Sequence, residues 1–186
     1  MDYLINNIWK YTIDALTGAG EYRTFSMMIG LFVLLILILP GCRVTDRILT
    51  GGLMIYLYLI FSMCVLVRGT WQVENTSVVL TPFWQLRVIL DGTRPDMKMY
   101  AVENVILYIP AGILLGILNR HSLFQKKAVR AFLVSVIYFA VFSAAIECTQ
   151  YFLQVGACET DDVICNTLGG ICGYLPVWLI CCRRRV

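Results

Sequence analysis

Charge is what this chain has least of. Charged side chains make up 15% of its 186 residues, against about 25% in an ordinary soluble domain. That scarcity, with a mean hydropathy of +0.75, excludes a soluble globular protein. Histidine occurs once, at His121, and the eight cysteines form no Cys-x-x-Cys pair. A zinc site is therefore not expected. Cysteines inside apolar segments read as small packing residues. No glycine-rich nucleotide loop or nucleophile elbow is present, so no cofactor is expected. No internal repeat or low-complexity tract stands out, and no nucleic-acid partner is expected. The opening residues lack a basic leader and a small-residue cleavage site, so the first hydrophobic segment is expected to stay in the mature protein.

What is present is a series of apolar runs long enough to cross a bilayer. The expected fold is an all-α polytopic membrane helix bundle with about five transmembrane helices. The spans are read at 25–40, 48–67, 100–118, 131–153 and 163–182, forming one domain over 25–186. Residues 1–24 are read as an amphipathic interfacial segment. There Leu4, Ile5, Ile8, Trp9, Ile13 and Leu16 fall at helical spacing opposite Asn6, Asn7, Lys10 and Asp14. Between the second and third spans, Phe83–Leu90 is apolar but too short to cross. It reads as a second interfacial helix or a re-entrant one, ended by Asp91-Gly92.

Orientation follows from the basic residues. With the C-terminus inside, the inner connections hold Arg43, Arg47, Arg120, Lys126, Lys127, Arg130 and the arginines at 183–185. That is nine of fifteen in short segments, while the connection 154–162 has none. The density predicts an outer N-terminus and a cytoplasmic C-terminus.

The fourth span carries the decisive anomaly, Glu147 with Gln150. A carboxylate in hydrocarbon costs roughly 2.5–3.5 kcal/mol on insertion scales, so it faces protein or water. Ser143, Glu147, Gln150 and Gln154 share one helix face at i, i+4, i+7 and i+11, and Asn104 and Tyr108 share another. In the expected orientation Asn104, Glu147 and Asn166 lie about 6–9 Å below the outer boundary, at about 1.5 Å per residue. Gly112 and Gly116, and Gly169 and Gly173, form small-xxx-small pairs that permit close helix packing. The third, fourth and fifth spans are thus expected to enclose an outward-opening polar pocket. Glu147 is the candidate proton donor or base, its pKa raised by desolvation, with Asp161 or Asp162 as a second carboxylate. Candidate ligand-binding residues are Asn104, Tyr108, Ser143, Gln150 and Asn166, with Arg68 and Arg94 as external cations. The alternative is that Glu147 is neutral helix glue, the acids cap the fifth helix and the arginines are interface anchors. Cys158 is the cysteine clearly outside, and a pairing with Cys148 or Cys165 stays open.

These residues resemble those of the VanZ-like family. Asn104-Val-Ile-Leu-Tyr108-Ile-Pro110-Ala-Gly112 is similar to its N-x-x-x-F/Y-x-P-x-G signature, and Ser143-Ala-Ala-Ile146-Glu147-Cys-Thr-Gln150 to its S-x-x-I-E-x-x-Q. Asp162 to Tyr174 is similar to its D-x-x-x-N-T-x-G-x-x-x-G-Y ending, and Leu80-Thr81-Pro82-Phe83 to its N-L-x-P-F element. Arg68 sits where the family often has an arginine closing a span. The match covers about 60–176. Val79 stands in place of the family's asparagine, and 154–157 lacks a basic residue many relatives have. The resemblance implies a bacterial cytoplasmic-membrane protein linked to resistance to teicoplanin and other lipidated glycopeptides. It brings no mechanism.

Three functions stay open. The pocket binds or excludes an outer-leaflet amphiphile, such as a lipoglycopeptide antibiotic or a lipid-linked cell-wall precursor, amid membrane lipids. Or the protein is an enzyme on such a precursor, with Glu147 as acid or base. Or it is a small transporter or channel subunit, a homo-oligomer joined through its glycine-rich helix faces.

Overall fold

The computed structural model describes residues 30, 33–34, 43–66, 77–94, 96–120 and 128–183. The expected interfacial segment 1–24, nearly all of the span 25–40, and Arg68 lie outside the described residues. Residues 1–74 and 75–186 form two units, and each is taken by itself.

In the first unit, helix α1 (Val44–Phe61) runs on into a π-helical turn at Ser62–Leu66. Asp46 lies in its first turn, where a carboxylate complements the helix dipole. The second unit holds strand β1 (Val78–Val79), helix α2 (Trp84–Leu90), helix α3 (Met97–Leu118), helix α4 (Ala128–Phe152), strand β2 (Cys158–Glu159) and helix α5 (Thr160–Arg183). Among the described residues four helical stretches are long and apolar enough to cross a membrane: Val44–Leu66, Met97–Leu118, Ala128–Phe152 and Thr160–Cys182. The protein is an all-α multi-pass membrane protein. Each span begins about three residues before the apolar run that announces it. Hydropathy marks the first apolar residue, whereas a helix begins at its first polar turn, as with Asp161 and Asp162 in α5.

Four helix hydroxyls donate within their own helices. Thr50 donates to the Asp46 carbonyl at 2.7 Å, Thr149 to Ala145 at 2.7 Å, Thr167 to Val163 at 2.7 Å and Ser135 to Ala131 at 2.9 Å. That is the economical solution where no water is at hand.

The core of the second unit is the seam between α3 and α5. Gly169 meets the Val105 carbonyl and Gly173 the Ile109 carbonyl, so the two helices run parallel. A Cβ on Gly169 or on Gly173 would lie 2.9 Å from the Val105 or the Ile109 carbonyl carbon, and one on Gly112 would lie 2.9 Å from the Tyr174 nitrogen. Only glycine admits backbones that close. Both small-xxx-small pairs are used here, inside one chain, so their faces are already covered by packing within it.

Helix α4 runs antiparallel to both and lays its aromatic rings on the seam. The Phe139 ring fits over Gly170, where a Cβ would stand 2.5 Å from it. Tyr108 meets Phe139 edge-on at 6.4 Å and Phe142 at 6.3 Å; Phe132 meets Tyr174 at 6.0 Å and Trp178 at 5.9 Å. On its far side α4 exposes Leu133, Val134, Ile137 and Val141, a face suited to lipid.

Candidate functional site

The site is built where α4 ends and α5 begins. The end of α4 is a Schellman turn. Gln154 takes the left-handed conformation (φ 57°), its N–H donates to the Tyr151 carbonyl at 3.1 Å, and the Val155 N–H donates to the Gln150 carbonyl at 2.9 Å. This turn sends the chain back along α4 as β2. The β2 strand pairs in parallel with β1, Val78 opposite Cys158 and Val79 opposite Glu159, and the Cys158 N–H donates to the Ser77 carbonyl at 2.9 Å. The connection ahead of α3 is thereby drawn onto the start of α5.

Asp161, buried in the first turn of α5, accepts the backbone N–H groups of Phe83 and of Gln85, the latter at 2.6 Å. Those donors open α2, where Phe83 is held at φ 61°. A left-handed aromatic residue is strained, and the Asp161 carboxylate is what holds it there. Gln85 is 4% exposed. Its amide nitrogen donates to Glu159 at 2.9 Å and to Asp162 at 2.8 Å. With both carboxylates on the nitrogen side the amide orientation is fixed. Its oxygen, Oε1, is then buried without a hydrogen-bond partner.

Glu147 is 3% exposed, and its Oε2 accepts the Glu159 N–H at 3.1 Å. One turn earlier on α4, Ser143 accepts from the Asn166 side-chain amide at 2.8 Å. The Asn166 Oδ1 is likewise buried and unpartnered. Gln150 is buried on the same face of α4, and Tyr108 is buried against the rings that precede Ser143.

Of the residues expected from sequence, Glu147, Asp161 and Asp162 come together through Gln85 and Glu159. Ser143 and Asn166 form a bonded pair, and Gln150 and Tyr108 are buried beside these residues. Asn104 lies half-buried on α3, one turn before Tyr108. Arg94 is elsewhere. Its guanidinium pairs with Asp96 at 2.9 Å on the surface, both side chains about half exposed. Gln85 and Glu159 were not expected. Gln85 had one signal, as the uncharged polar residue in the apolar run from Phe83 to Leu90.

The cluster is closed. Ser143, Glu147, Gln150, Asp161 and Asn166 are each buried, packed against one another rather than lining the open pocket the sequence suggested. The bonds from Asp161 and Asp162 to the start of α2 hold the 78–90 segment down on it. A tight apolar crevice lies apart from it, between α4 and α5, lined by Phe132, Phe139 and Tyr174 among others. Among the described residues no three His, Cys, Asp or Glu side chains converge as metal ligands do.

The bonded framework of this cluster coincides with the sequence motifs that resemble one family, and a family model, VanZ/LLP1, matches residues 48–181. The chain belongs to the VanZ/LLP1 family. Protein VanZ of Enterococcus faecium is 29% identical over 134 residues, which cover 68% of this chain and 72% of that protein. No solved structure matches. The VanZ/LLP1 match runs from within α1 almost to the end of α5, so it includes both Gln85 and the acids that bind it.

Proposed function

We propose that this chain is a bacterial cytoplasmic-membrane protein contributing to resistance to teicoplanin-type lipidated glycopeptides. Its N-terminus faces outward and its C-terminus the cytoplasm, which puts the Glu147 cluster in the outer leaflet. There the cluster receives the polar end of an amphiphile, the antibiotic or a lipid-linked wall precursor, while the tail stays in lipid.

The observation that carries this reading is the pair of buried acceptors left over in a closed polar cluster, Gln85 Oε1 and Asn166 Oδ1. A buried acceptor without a partner costs about 1–3 kcal/mol, and a ligand donating N–H or O–H groups would recover it. Access requires the 78–90 segment to lift from Asp161 and Asp162. That segment carries exposed Leu80, Phe83, Leu86 and Leu90, apolar side chains suited to entering the interface beside a lipid tail. Membership in VanZ/LLP1 and the likeness to Protein VanZ support the resistance role.

The test is expression in a sensitive Gram-positive host. The wild-type chain should raise the inhibitory concentration of teicoplanin and leave that of vancomycin nearly unchanged. Equal protection against both drugs, or against neither, would remove the lipidated drug from the reading.

A further inference from the structure

Cys148 follows Glu147 on α4 and is exposed, while Cys158 opens β2 immediately before Glu159. Two anchors hold β2 here. The Glu159 N–H donates to the Glu147 carboxylate at 3.1 Å. The Cys158 N–H donates to the Ser77 carbonyl at 2.9 Å. Between these anchors the side chains of Cys148 and Cys158 are neighbours. Cys165, the other candidate partner, lies one turn into α5 with Asp161 and Asp162 as its charged neighbours. The Schellman turn at Gln154 therefore selects between the two pairings that sequence leaves open. It brings residue 158 back beside residue 148, not beside residue 165.

We propose that Cys148 and Cys158 are a redox-active dithiol that closes to an intramolecular disulfide, pinning β2 to the end of α4. A disulfide sets its sulfurs about 2.05 Å apart. Neighbouring thiols reach that by side-chain rotation and a small shift of the turn. The oxidant is a small-molecule or protein disulfide. The Cys148 thiolate attacks one of its sulfurs, forming a mixed disulfide and releasing the first thiol. Cys158 then attacks the Cys148 sulfur, expels the second thiol and gives up its proton. The two cysteines lose two electrons and two protons, and the reagent becomes two thiols. The order follows from exposure. Cys148 is the exposed thiol of the pair, whereas burial, then the neighbouring Cys148 thiol and the Glu147 carboxylate, push the Cys158 thiol up. The closed form crosslinks α4 to β2 beside the contact between Glu147 and Glu159. It holds Glu159 against Gln85, so oxidation stiffens the Glu159 wall of the cluster and reduction loosens it.

The experiment uses the full chain in nanodiscs, fully reduced, then treated with oxidised glutathione. Remaining thiols are alkylated, the protein is cut with chymotrypsin, and the peptides are mapped by mass without reductant. The expected result is a Cys148–Cys158 linkage on a monomeric band, with these two thiols lost to alkylation. The linkage persists in Cys165→Ser and is absent in Cys148→Ser. The wild-type map alone decides the matter, so a variant that folds poorly does not obscure it. A Cys158–Cys165 linkage, a linkage between two copies, or Cys148 and Cys158 both still alkylated or stalled as glutathione adducts would overturn the proposal.

Discussion

The two ends of the α3–α4–α5 bundle each carry a polar knot, and the knots are made differently. At the end where α3 finishes, the Asn119 amide donates to Ser135 and to Tyr174, both at 3.3 Å, and the Trp178 indole donates to the Ala128 carbonyl at 3.3 Å. Every partner is neutral and the bonds are long. At the other end Asp161, Asp162, Glu159 and Glu147 accept bonds of 2.6–3.1 Å around Gln85, and two buried acceptors remain unused. A neutral knot that uses weak bonds to tie three helices is helix glue. A charged knot with acceptors left over holds more polarity than packing requires, and the proposed ligand role rests on that excess.

The comparison breaks most completely at what both knots share, the glycine seam. Gly173→Val drives a branched side chain into the Ile109 carbonyl, so the expected cost is above about 4 kcal/mol. The protein should fail to accumulate as a monodisperse species on size-exclusion chromatography in detergent. Normal yield and elution would show that the helices can part without loss.

Next in size is the charged knot. Asp161→Ala leaves the Phe83 and Gln85 N–H groups without their acceptor and Phe83 without its restraint. A charge-assisted bond of this kind is worth about 1.5–3 kcal/mol. Thermal stability in nanodiscs should fall clearly, and the 78–90 amides should exchange hydrogen faster while α3 stays protected.

Asn119→Ala sharpens the contrast from the other side. Interhelical hydrogen bonds in a membrane average about 0.6 kcal/mol, and these are long. Stability should fall slightly and drug protection not at all. The smallest effect belongs to Arg94. Its hydrogen bond holds the Asp96 carboxyl below its usual range. Because the folded value is lowered, the pair stabilises above the usual carboxylate range and loses that contribution as pH falls through the lowered value. Both groups lie on the surface about half exposed, so Arg94→Ala should leave protection and the pH dependence of thermal stability unchanged within error. A loss of protection would bring Arg94 back as a ligand-binding cation.

The sequence made the helices legible because lipid demands long apolar runs, and it marked the seam because only glycine lets backbones touch. It also placed Ser143, Glu147 and Gln150 on one face, since helical spacing is local arithmetic. Gln85 was hidden for the opposite reason. Its partners lie more than seventy positions away, and no periodicity links a short helix to the first turn of α5. The β1–β2 pairing, two residues on each strand, is set by the turn at Gln154, where the residue that usually marks such a turn, glycine, is absent. Arg94 misled because its nearest acid, Asp96, is two residues away on the surface, and an exposed local pair looks the same in sequence as a free cation.

The central claim is that the charged knot is the working end of the protein and the neutral knot is not. Glu147→Gln tests it most directly, because a glutamine can still accept the Glu159 N–H through its amide oxygen while losing charge and acid–base capacity. The measurement is the teicoplanin inhibitory concentration of one sensitive host expressing wild type, Glu147→Gln or Asn119→Ala at matched membrane levels. The account predicts protection by wild type and Asn119→Ala, and its loss in Glu147→Gln. Full protection by Glu147→Gln would make the charged knot helix glue like the neutral one, and would contradict it.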